Sequence, residues 1–149
     1  MRSQAAGVIC VVFLLGLASI AQRPTIESLK TQAEGAKGGQ QAKLYAELAE
    51  ALVDVAARQF EQDNSAQGQA TVNEVLGYGT KARDAAVSSR SKMKETEIHL
   101  RNAQRKLEDL KRTLSADDRT PLDEVEKKLA QFREDILNTM FAPPKKVKK

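Results

Sequence analysis

The chain has no tryptophan, one cysteine, one histidine and four prolines among its 149 residues, and only 4% of them are aromatic. Each scarcity removes a class of protein. The single cysteine, Cys10, lies inside an apolar leader, so the mature chain has no thiol for a disulfide or for thiolate chemistry. One histidine, His99, with Glu95 one turn earlier, supplies two ligands at most. A zinc site takes three or four, and a di-iron bundle needs repeated Glu-x-x-His segments, so no metal is expected. Gly35, Gly38 and Gly39 lack the following Lys-Ser/Thr and the preceding strand of a phosphate-cradling loop, and they read as helix breakers. No nucleophile elbow accompanies any serine, strand formers are scarce, and no cofactor is implied.

Charged residues make up 30% of the chain and, with abundant Ala, Leu, Glu, Lys, Arg and Gln, give the composition of long helices or coiled coils. The length admits one domain with a modest core. The net charge of +4 is local in origin, because Lys145, Lys146, Lys148 and Lys149 crowd the last five positions. Without them and the leader's Arg2, 19 basic side chains face 20 acidic ones, which argues against a nucleic-acid-binding surface.

Arg2 followed by an uncharged run from Ala5 to Ala21 has the form of a secretory signal peptide, residues 1–21, with Ser19-Ile20-Ala21 as the cleavage site. The mature protein is then periplasmic or secreted. The alternative is an uncleaved membrane anchor, since the run is at the lower length limit for crossing a bilayer.

Residues 22–39 read as a short helix begun at Thr25 or Ser28 and a glycine-containing linker. Residues 40–142 read as the helical domain. From Gln40 to Asp63, Tyr45, Leu48, Ala49, Leu52, Val55, Ala56 and Phe60 recur at helical spacing on one face, and Asp63-Asn64-Ser65 forms a turn. Val72, Gly79, Ala86, Met93, Leu100, Leu107 and Leu114 then recur every seven residues beside a second row through Val75, Ala82, Ser89, Thr96, Ala103 and Leu110. This is a coiled-coil-like seam, which predicts one long central helix with weak points at Gly77–Gly79 and at Ser88–Ser91. Thr120-Pro121 reads as the start of a last helix capped by Thr120, with its stripe at Leu122, Val125, Leu129, Phe132, Ile136 and Met140 and with Leu137 and Phe141 alongside. Pro143-Pro144 ends it, and residues 143–149 form a lysine-rich tail expected to be disordered. The predicted fold is all-α: antiparallel helical hairpins around the central helix, either extended, which is preferred, or folded at Ser88–Ser91 into a small bundle.

Lys43 to Ala51, continuing through Phe60-Glu61-Gln62-Asp63 to a second helix with Val75, Ala82 and Ala85, resembles a tetratricopeptide-like helical hairpin of the kind found in exported bacterial proteins. The likeness covers about a third of the chain and lacks that repeat's Trp, Leu-Gly and trailing Pro. It implies helix packing and partner binding, and it transfers no functional residue.

Two basic groups remain as candidate contact sites. Arg101, Arg105, Lys106, Lys111 and Arg112 make a candidate partner-binding face, weighed against a solvated flank that pairs with acids such as Glu124, Glu126 and Glu134. Lys145, Lys146, Lys148 and Lys149 make a candidate contact with anionic envelope surfaces. The acid pairs Asp117-Asp118 and Asp123-Glu124 read as helix-start complements. The expected function is non-enzymatic: protein interaction or scaffolding in the cell envelope, through a protein partner or self-association along the seam. The alternative is a chaperone-like or membrane-surface binding protein.

Overall fold

The computed structural model describes residues 24–143. The leader and the tail lysines Lys145, Lys146, Lys148 and Lys149 lie outside the described residues. Five helices follow one another: α1 Ile26–Gly35, α2 Gly38–Glu61, α3 Ser65–Ser89, α4 Met93–Thr113 and α5 Ala116–Phe141. They form an all-α bundle with the core between them.

The α1 helix starts where Thr25 Oγ1 accepts the amide of Ser28, and it buries Leu29 and Ala33 against α2. Gly38 and Gly39 open α2, and Gly38 takes the left-handed turn between the two helices at φ 59°. At the far end α2 closes in a Schellman motif, with Asp63 left-handed at φ 56°. There the Asn64 amide bonds the Gln59 carbonyl and the Asp63 amide bonds that of Phe60.

The seam expected along one long helix is buried almost throughout: Val72, Val75, Gly79, Ala82, Ala86, Thr96, Leu100, Ala103, Leu107 and Leu110 all face the core. The central helix itself is divided. Arg90 and Lys92 adopt left-handed φ values of 50° and 53°, and the chain reverses between α3 and α4, so the folded form is the one adopted and the extended form is not. The polar run Ser88-Ser89-Arg90-Ser91 gives the seam nothing apolar to bury, so the chain exchanges one long helix for the packing of α4 on α2 and α3 and of α5 on α3.

The α2–α3 and α4–α5 hairpins consequently lie side by side, with α2 beside α4 and α3 beside α5. Asp54 meets Lys106, Glu50 meets Asn102 and Arg83 meets Asp135, each 52 residues apart, so the neighbouring helices run parallel in one register. Close approach uses glycine where these helices touch: a Cβ on Gly79 would stand 2.8 Å from Leu129, and one on Gly68 would stand 2.7 Å from Phe60.

The start of α5 also departs from the sequence reading. It begins at Ala116 with Ser115 as its cap, and Pro121 sits inside the second turn instead of marking the first. Asp118 accounts for the shift. Its backbone amide and carboxylate bond Ser115, and the same carboxylate accepts hydrogen bonds from Ser65 and Gln69 of α3. These bonds outweigh the one that Pro121 cannot donate.

Candidate functional site

α4 carries polar flanks on both sides of its buried stripe, and the two flanks address different neighbours. On the α2 side, His99 Nδ1 lies 2.7 Å from Glu50 Oε2, and Asn102 donates to the same oxygen at 3.5 Å. Lys106 reaches Asp54 at 2.8 Å and Glu50 Oε1 at 3.5 Å. Glu50 accepts from His99, so this pairing assigns a proton to Nδ1 of the ring. Burial pushes the Glu50 carboxyl up, but the His99 hydrogen bond and the Lys106 charge together outweigh it and hold the group below its ordinary value.

This cluster floors a groove of about 570 Å³ whose other walls are Pro24, Ile26 and Leu29 of the α1 segment and Val55 and Arg58 of α2. Thr25 also lines it, with its hydroxyl engaged in capping α1. The groove joins a His–carboxylate pair to a half-apolar wall, an arrangement that fixes the spacing of α2 and α4. Among the described residues no group of three or more His, Cys, Asp or Glu side chains is placed to hold a metal. Among them, too, no helix is long and apolar enough to cross a membrane.

On the α5 side, Glu97 is buried and accepts Arg133 Nε at 2.9 Å, while Arg133 also donates to Gln104 at 2.7 Å. Lys111 bonds both Asp123 and Glu126, and these two hydrogen bonds hold its ammonium above the ordinary lysine value.

The five residues of the expected basic face are therefore not brought together. Lys106 turns to α2 and Lys111 turns to α5, which leaves Arg101, Arg105 and Arg112 exposed on the outward side of α4. Arg101 pairs loosely with Glu97 at 3.5 Å and Arg112 with Asp109 at 3.4 Å. Arg105 has no ion-pair partner among the described residues. Of the acids named as pairing partners on the last helix, Glu126 pairs with this face. His99 takes Glu50 as its partner, while Glu95 bonds Lys92. The Glu50–His99 pair carried no local signal in the sequence, because its members are 49 residues apart and meet only through the register of α2 against α4.

A second aromatic feature was likewise unannounced: Tyr45 and Tyr78 stack with ring centroids 5.9 Å apart, and the Lys81 ammonium lies over both rings. It clamps α2 to α3 from the surface. No protein-family model matches the chain, and no curated protein or solved structure matches it either.

Proposed function

We propose that this chain is a non-enzymatic, exported helical protein that works in the cell envelope by binding a protein partner, as a scaffold or interaction module. The observation that carries this reading is the outward row of α4. Arg101, Arg105 and Arg112 stand four and seven residues apart, so their side chains share one helix face, and all three are exposed. The partly exposed Ile98 continues that face. Arginine beside an apolar residue is the composition that protein interfaces favour, because the guanidinium both forks to carboxylates and packs its flat face. A partner with an acidic helix or loop fits it. The polar groups nearer the core support the same reading from the other side: His99, Glu50, Lys106 and Glu97 are engaged in holding helices together.

The test is crosslinking in the native envelope, followed by identification of the attached species and repetition with Arg101→Glu, Arg105→Glu and Arg112→Glu combined. A single defined protein that disappears from the variant supports the reading. Many unrelated unfolded clients would replace it with a chaperone role, and an adduct unchanged in the variant would move the partner site away from α4.

A further inference from the structure

The two ends of the bundle differ in charge, and the difference runs against helix stability. One end, the base, holds the starts of α2 and α4 and the finishes of α1, α3 and α5, with Glu34 exposed at the finish of α1. Lys37 is the residue before α2, Lys92 the residue before α4, and Lys94 the second residue of α4, all exposed. Three ammonium groups thus crowd the positive ends of two helix dipoles, where acids are favoured and cations are unfavourable. No acid occupies the first turn of α2, and the only one in the first turn of α4, Glu95, is bonded by Lys92. Arg90 adds a fourth cation while its guanidinium caps the Thr139 and Ala142 carbonyls at the finish of α5. At the opposite end Glu61, Asp63, Asp117 and Asp118 are matched by Arg58, Lys111, Arg112 and Arg119, so that end is balanced in charge.

Phe141 sits within this basic end, between the two carbonyls that Arg90 caps, and is 80% exposed, the one large hydrophobic residue so exposed among the described residues. From Pro143 the sequence continues into Lys145, Lys146, Lys148 and Lys149.

We infer that the base of the bundle docks on an anionic phospholipid bilayer, with Lys37, Arg90, Lys92 and Lys94 against the headgroups and Phe141 inserted between them. Charge complementarity selects the surface, and an isolated exposed aromatic ringed by cations is the anchor that a headgroup layer accommodates. The helices then stand away from the membrane with the charge-balanced end outward, and the arginine row of α4 stays free along the side for a partner. Lysines placed against the helix dipoles are explained as stability given up for this contact.

The experiment uses the protein recovered from a secreting bacterium and vesicles of phosphatidylglycerol with phosphatidylcholine, compared with phosphatidylcholine alone. Co-sedimentation is expected with the anionic vesicles only, and it should fade at about 0.5 M salt as screening shortens the attraction. In the double variant Lys37→Glu with Lys94→Glu, partitioning should fall by at least about 25-fold, about five-fold for each lysine removed, with the added carboxylates lowering it further. Its melting temperature should hold or rise, because both changes now suit the dipoles. That opposite movement separates lost docking from lost folding. Phe141→Trp introduces the chain's only tryptophan, and its emission should shift to the blue on adding anionic vesicles. Unchanged sedimentation of the double variant, or an unmoved emission at position 141, overturns the inference. So does equal binding to soluble polyglutamate in competition with the vesicles, which would assign the base to an acidic protein instead.

Discussion

Gly39 and Ser91 approach so closely that a Cβ on Gly39 would stand 2.6 Å from the Ser91 carbonyl carbon and oxygen. The contact joins the start of α2 to the turn between α3 and α4, and the obstacle is backbone, which cannot swing aside. Gly77, midway along α3, meets nothing within 4 Å. Opposite outcomes follow for the same substitution. Gly39→Ala should lower stability by about 1 to 3 kcal/mol through overpacking, and Gly77→Ala should raise it by about 0.5 to 1 kcal/mol through helix propensity. Urea midpoints check both, and a neutral Gly39→Ala would mean that the base packs more loosely than this contact requires.

Leu107 is fully buried at the centre of α4, while Phe141 is 80% exposed. Leu107→Ala should cost roughly 2 to 4 kcal/mol, from lost transfer free energy and an unfilled cavity. Phe141→Ala should stay within about 0.5 kcal/mol of the parent, as surface changes do. Denaturant unfolding with an unchanged slope would assign both differences to the folded state.

How far the sequence spoke for the structure depended on whether a signal was local. The stripes of α2 and α5 were legible because Leu48, Leu52 and Ala56, and likewise Leu122, Val125, Leu129, Phe132 and Ile136, repeat at helical steps without interruption. The break between α3 and α4 was harder to read, because the seven-residue step continues through it, from Ala86 to Met93 to Leu100, and no glycine or proline marks the turn. Arg90 and Lys92 take the left-handed angles there, a conformation their side chains do not announce. Ser115 displaced Thr120 as the cap of α5 because Asp118 finds Ser65 and Gln69, which are 53 and 49 residues away. The basic face failed as a unit for a related reason. Lys106 and Lys111 lie on opposite sides of the arc that Arg101, Arg105 and Arg112 share on α4, and only the packing of α2 and α5 decides which are taken up.

The export reading carries its own expectation. Cleavage after Ala21 leaves Gln22 as the amino terminus and removes Cys10 with the leader. Intact mass of the protein from a secreting bacterium should match residues 22–149, with no mass gain on treatment with a thiol reagent. A mass that includes Met1 or Cys10 would favour the retained anchor.

The last prediction concerns pH and the pair that spaces α2 from α4. Glu50 has a carboxyl pushed up by burial but held below its ordinary value by the His99 hydrogen bond and the Lys106 charge. A carboxylate depressed in the folded state binds its proton more readily in the unfolded chain. The stability it contributes is therefore present above the ordinary glutamate range and is lost as pH falls through the depressed folded value. Glu50→Gln should accordingly be less stable than the parent by about 1.5 to 3 kcal/mol at about pH 7, the usual worth of a hydrogen bond to a charged group. The gap should narrow as pH falls through the depressed folded value, where the parent's carboxyl also takes up its proton. In His99→Ala the Glu50 carboxyl, followed by NMR titration, should move back up toward its ordinary value. A gap of the same size at both pH values would show that the shape of the Glu50 side chain, and not its charge, holds the two helices in register.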